Sequence, residues 1–191
     1  MKNYIIGIGG TGAKCLEHLL HCCTAGLGPN NLWAGMVDQD EANGNVSKTK
    51  ILLNKYMNLR SNLRNESGND LAKKSNLFKT QITANADSVW LPMKGANPTL
   101  EELINYNLLK PEVKGLMDCL YDPDELKQNL SEGFRARPNI GAAAILSTTA
   151  NEDDIFWSQI YKAIDAARGG EEVRVFIISS IFGGTGASGF P

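Results

Sequence analysis

The strings GIGGTGAK at positions 7–14 and FGGTGASG at positions 182–189 are the two places where this sequence could hold an anion. Each follows an apolar run. A strand that ends in glycines and turns into a helix leaves backbone N–H groups without intrahelical partners. Glycine lets that backbone approach an anion with no Cβ in the way, and the helix start adds partial positive charge. Thr185 and Ser188 would add hydroxyl donors to the second loop. The first loop also fits G-x-G-x-x-G through Gly7, Gly9 and Gly12, with Asp38 standing 26 positions after Gly12. That pattern matches a dinucleotide fingerprint, in which the acid reaches a ribose. Such a fingerprint needs only one glycine loop. Two of them at the carboxyl ends of parallel strands can close on one polyphosphate from both sides. Neither has the G-x-x-x-x-G-K-[ST] spacing of a P-loop.

These loops need elements to hold them. Residues 3–8 read as a short buried strand, and Ala13, Leu16, Leu20 and Cys23 recur at helical spacing, which predicts a helix over 12–25. The apolar run at 32–38 reads as a second strand ending on acidic residues. Strand, glycine loop, helix and strand in that order predict an α/β fold: a parallel Rossmann-like sheet with flanking helices. Thr99 and Glu102 form a capping-box pair, and Pro138 suits a first helical turn before the small residues at 141–144. A further helix is expected over 153–167. The β-branched run at 173–182 is expected to be a central strand covered on both faces.

Composition narrows the function classes. At 191 residues and 42% hydrophobic, the chain can build one α/β domain with a core. A net charge of −2 gives no general attraction to nucleic acid or to an anionic membrane surface. No stretch approaches the length of a membrane span. From Lys48 to Lys79 eight basic residues face two acidic ones, Glu66 and Asp70, which reads as a solvated face rather than a polyanion site. The four cysteines, Cys15, Cys22, Cys23 and Cys119, show no C-x-x-C pair, so a reducing, cytoplasmic setting is expected. Cys15, His18 and Cys22 share a helix face, but no complementary ligands accompany them, and Cys15 and Cys22 read as part of the buried stripe.

FGGTGASG resembles the GGGTGSG signature of the tubulin and FtsZ superfamily of GTPases. IIGIGGTGAK is similar to the first nucleotide loop of FtsZ-type proteins, and VDQDEAN to their acidic loop after the second strand. FRARPNIGAAAI resembles a segment of the divergent bacterial tubulin-like proteins. Phe182 stands for the first glycine of the signature, Ala187 for its Ser or Thr, and Ser188 for its final glycine, with Gly189 one place later. The resemblance implies that residues 1–191 are the N-terminal part of a single nucleotide-binding domain whose remainder lies beyond them. It implies GTP or GDP with magnesium as ligands and self-association into protofilaments, with a neighbouring subunit supplying the acidic loop for hydrolysis. Gly9, Gly10, Thr11 and Gly12 would hold phosphates, and Gly183, Gly184, Thr185, Gly186, Ala187 and Ser188 would embrace them from the other side. Lys14 stands where FtsZ has an asparagine near the base. Asp38 and Asp40 would bind magnesium through water or touch the nucleotide, and Arg135 and Arg137 would approach the γ-phosphate.

Two other readings stay open at this stage. One is a Rossmann-type domain binding a dinucleotide or S-adenosylmethionine. The other is a tubulin-like scaffold that no longer hydrolyses nucleotide.

Overall fold

The computed structural model describes residues 1–40, 42–64, 75–84, 89–93, 99–148 and 154–189. Its centre is a parallel sheet built from β1 (Lys2–Ile8), β2 (Asn31–Val37), β3 (Gln81–Thr83), β4 (Val89–Trp90) and β5 (Val173–Ile178). The order is β3-β2-β1-β5, and β4 pairs with the stretch of β2 beyond β3. The chain therefore has the α/β, Rossmann-like architecture that the strand–helix alternation predicts. β1 is the middle strand, with Gly7 opposite Met36 on one side and Ile178 on the other. This register brings the carboxyl ends of β1, β2 and β5 to one edge, where ligands of such sheets bind.

The pleat of β1 divides the core. Ile5 faces helix α1 (Gly9–Thr24) and helix α2 (Gly44–Arg64), in a cluster with Ala13, Leu16, Leu20, Cys23, Val46, Leu53 and Tyr56. Tyr4, Ile6 and Ile8 face the other way, toward Trp33, Val37 and Phe156. Phe156 belongs to helix α7 (Ile155–Arg168), which the 3.6-residue apolar period predicts almost to the residue. α1 extends the expected helix backwards to Gly9, so the first glycine loop is itself the opening helical turn. The stripe of α1 is Ala13, Leu16, Leu20 and Cys23, as read from the sequence. Cys15 and Cys22, expected in that stripe, are exposed, because they lie on a flank that no element covers among the described residues.

In the chain between β4 and β5, α3 (Leu100–Leu103), α5 (Pro123–Leu126) and α6 (Pro138–Ser147) contribute to a satellite cluster, while α4 (Pro111–Leu120) buries no residue. Met93, Leu100, Leu126, Leu130, Phe134, Ile140 and Ala144 fill it. The Thr99 capping box forms as expected, with the Thr99 hydroxyl accepting from Glu102 N–H and the Glu102 carboxylate from Thr99 N–H. α6 packs on α8 (Gly184–Gly189) through small residues: a Cβ on Gly141 would stand 2.0 Å from Ser188 Oγ.

Two expectations need correction. β5 is not a strand covered on both faces. Among the described residues it pairs only with β1, and Val175, Phe176 and Ile177 are 46–54% exposed. It also stops at Ile178 rather than at residue 182. The four residues after it fold into a turn, with Ser179 Oγ donating to Gly186 O and Phe182 N–H to Ser180 Oγ. In the basic stretch, Lys48 lies on α2 and pairs with Glu17 of α1 at 2.7 Å, so part of that charge joins two helices. Glu66 and Asp70, like Asp153, Phe190 and Pro191, lie outside the described residues.

The first glycine loop crosses the sheet at very short range. A Cβ on Gly12 would stand 2.6 Å from Ile178 O and 2.7 Å from Gly7 C, both backbone atoms that cannot step aside. Gly44, at the start of α2, has nothing within 4 Å of such a Cβ. Gly12→Ala is therefore expected to cost about 3 kcal/mol or to prevent folding, by overpacking against main chain. Gly44→Ala is expected to stay within about 0.5 kcal/mol of the parent, both measured by urea denaturation.

Candidate phosphate-binding cleft

The carboxyl edge of the sheet opens into a cleft of about 240 Å³. Ile8, Gly9, Gly10 and Thr11 line it from the first loop, and Ser180, Gly183, Gly184, Thr185 and Gly186 from the second. The two loops touch. A Cβ on Gly9 would stand 3.5 Å from Gly186 N and 3.8 Å from Thr185 Cβ. Gly9 has φ +70, a conformation that glycine adopts freely and other residues avoid. The orphan N–H groups of α1 thus open onto the same space as the backbone of the second loop.

Asp38, just past the end of β2, fastens this arrangement. It is 2% exposed. Its Oδ1 accepts from the Thr185 hydroxyl at 2.8 Å and from Asp40 N–H at 3.3 Å, and its Oδ2 from the Asn43 amide at 2.9 Å. The neighbouring Gln39 is buried and accepts from Met93 N–H at 3.0 Å, which anchors the loop in the satellite cluster. Burial pushes the Asp38 carboxyl above the ordinary carboxylate range, and the Thr185 and backbone hydrogen bonds only partly counter it. Asp38 is thus taken up by protein donors. Asp40 is more open: Oδ1 accepts from Ala42 N–H at 3.0 Å, and the residue lines the cleft.

The far wall is a strap over residues 132–137. Gly133 has φ +81, and Arg135 and Ala136 also have positive φ, which is uncommon for residues with side chains. Phe134, 1% exposed, roots the strap in the satellite cluster. The strap lies tight against the second loop, since a Cβ on Gly184 would stand 2.9 Å from Phe134 Cβ and 3.1 Å from Ala136 N. Arg135 lines the cleft and pairs with Glu132. Arg137 turns to Glu125 at 3.2 Å and Gln128 at 3.4 Å and is not among the lining residues. Lys14, Gly12, Ala187 and Ser188 are not among them either. Lys14 is exposed on α1, Gly12 sits beneath the loop against β5, Ala187 is half-buried, and Ser188 lies against Gly141 of α6 with its hydroxyl donating to Gly184 O.

The lining thus contains backbone donors and hydroxyls, three carboxylates (Asp38, Asp40 and Glu132) and one guanidinium already paired with one of them. A polyphosphate entering such a cleft needs an accompanying cation to offset like charge. Among the described residues no group of three His, Cys, Asp or Glu could hold a metal unaided. The donor set suits magnesium only as a shared ion, with Asp40 as its protein ligand or water-mediated partner and phosphate oxygens completing the shell.

Sequence reading missed Asn43, Ser180 and the strap residues Glu132, Gly133 and Phe134. Asn43 had a signal, an Asn directly before a helical stretch, which is a common N-cap. No protein-family model, no curated protein and no solved structure matches the chain. Among the described residues, no helix is long and apolar enough to cross a membrane.

A carboxyl whose folded pKa lies above its unfolded one binds its proton more tightly when folded. Its contribution favours folding below the ordinary carboxylate range and is lost as pH rises through the raised value. Thr185→Val keeps the shape but removes one donor from buried Asp38. The variant is expected to lose about 1–3 kcal/mol at neutral pH. The loss should shrink as pH falls through the raised pKa of Asp38, where the carboxyl takes up its proton. Urea denaturation across that range measures both.

Proposed function

We propose that this chain is a GTP-binding domain of the tubulin and FtsZ type, with the nucleotide's phosphates held in the cleft between the two glycine loops. The observation that carries this reading is the contact of the loops, at Gly9 against Gly186, around one cavity. Motifs far apart in sequence that both expose backbone donors have little other reason to converge on a wall of glycines. A Cβ on Gly183 would meet nothing within 4 Å and one on Gly9 only ordinary contacts, so open space lies beside the backbone donors of both loops.

On this reading Gly9, Gly10 and Thr11 hold phosphates from α1 while Gly183, Gly184, Thr185 and Gly186 hold them from the β5 side. Asp40 helps to place a magnesium ion, which would neutralise phosphate charge. Arg135 stands where its guanidinium can swing from Glu132 to a phosphate oxygen, for which its planar donors are suited. Hydrolysis would be in-line attack of water on the γ-phosphate. The carboxylates that orient this water would come from a neighbouring subunit, so the nucleotide lies at an interface in a self-assembled filament. The chain alone then binds nucleotide and turns it over little.

A dinucleotide enzyme would need Asp38 for a ribose hydroxyl. Here both oxygens of that buried carboxylate are already engaged by Thr185, Asp40 and Asn43, which favours the phosphate reading. A scaffold that has given up nucleotide is the remaining competitor.

The test is thermal denaturation with GTP, GDP, NAD and S-adenosylmethionine, each with and without magnesium. GTP and GDP with magnesium are expected to raise the Tm, and the other two to leave it unchanged. Stabilisation by NAD or S-adenosylmethionine instead would overturn the reading, and silence with every ligand would select the scaffold. Gly9→Ala, which forces an alanine to positive φ at a cost of about 1 kcal/mol, is expected to weaken GTP at least about tenfold by calorimetry.

A further inference from the structure

Asn43 holds three positions at once. Its Oδ1 accepts from Asn45 N–H at 3.0 Å and Val46 N–H at 3.5 Å, which caps α2. Its Nδ2 donates one hydrogen to Asp38 Oδ2 at 2.9 Å. That nitrogen also lies 2.8 Å from where a Cβ on Gly10 would stand, so the amide leans over the backbone of the first glycine loop and lines the cleft. A primary amide carries two hydrogens. The contact to Asp38 uses one of them, and among the described residues no acceptor takes the other.

We infer that Asn43 donates this second hydrogen to the phosphate lying over Gly10, and so reports occupancy of the cleft to α2. The inference rests on the reading of the cleft as a nucleotide site. Asp38 is a fixed acceptor behind the amide, so it sets which way the amide is flipped: nitrogen toward the carboxylate and cleft, oxygen toward α2. A phosphate on the open side is then met by a donor already aimed. Fixing the amide at both hydrogens also fixes its oxygen over the first turn of α2. That turn depends on this cap, because it holds no acidic residue to offset its positive end. The effect can pass further, since Val46 is buried against α1 and Thr49 Oγ1 donates to Ala13 O at 2.9 Å. Asn43 is a ligand-contacting residue on this account, and α2 is the element that feels the contact.

The experiment is hydrogen–deuterium exchange on the full chain, with and without GTP and magnesium, for the parent, Asn43→Ser and Gly10→Ala. Serine keeps a cap acceptor but lacks the amide hydrogens, and alanine at position 10 displaces the amide while leaving it intact. In the parent, GTP is expected to slow exchange at residues 45–48 as well as at 10–13 and 184–187. In Asn43→Ser the ligand-dependent slowing at 45–48 is expected to vanish and GTP affinity to fall about tenfold, with a lowered Tm because Asp38 loses its amide donor. Gly10→Ala should show the same loss at 45–48. Slowing in the glycine loops with none at 45–48 of the parent overturns the role of Asn43 and leaves the nucleotide site standing. An Asn43→Ser protein that keeps both affinity and slowing does the same. No GTP effect anywhere in the parent overturns both.

Discussion

The hydroxyl of Thr185 donates to the carboxylate of Asp38 across 147 residues of sequence, and both residues are buried at the wall of the cleft. This contact ties the second glycine loop to the acidic loop after β2. Burying a carboxylate is unfavourable unless donors surround it, and here a hydroxyl, an amide and a backbone N–H do so. They do not fully compensate, as the upward displacement of its pKa shows. The fold thus keeps an ionisable group where an apolar one would be cheaper. That departure from core chemistry sits at the converging ends of three parallel strands, beside the cleft.

The apolar parts of the protein serve this polar edge. The satellite cluster around Phe134 lies apart from the two clusters that cover the sheet. It supports a strap that runs through Arg135 and Ala136 in left-handed conformations and presses on Gly184. Strained backbone of this kind persists only where surrounding packing determines it, and Phe134, Leu130 and Ile140 supply that packing. Gln39 performs a similar task on the opposite wall, tying the loop after β2 to Met93 of the same cluster. Both walls of the cleft are therefore referred to one small core.

Much of this was legible in the sequence because it is local. β1, α1, β2 and α7 announce themselves by apolar period and by glycine at the strand ends, and the Thr99 cap by residue type and spacing. What periodicity could not carry was position. The run Val-Arg-Val-Phe-Ile-Ile has the same signature whether or not a neighbour covers it, so the open flank of β5 could not be foreseen. Cys15 and Cys22 were misplaced for a related reason: cysteine suits a buried stripe, but only neighbouring elements decide how wide the stripe is. Arg135 and Arg137 are two residues apart in one motif, yet only the first borders the cleft, because Glu125 and Gln128 of a neighbouring helix and loop claim the second. Such assignments depend on tertiary partners, and no motif states them.

The cleft has a floor and a rim of different mechanical character. Its floor is main chain against main chain, with Gly12 seated under the Ile178 carbonyl and Gly9 beside the Gly186 nitrogen. Nothing there can widen without unpairing β1 from β5. Its rim is made of side chains on short connections: Asp40 and Asn43 on one bank, Glu132 and Arg135 on the other. On the proposed reading, entry to the cavity is decided at its margins, by rotamer changes, over a floor that keeps one shape.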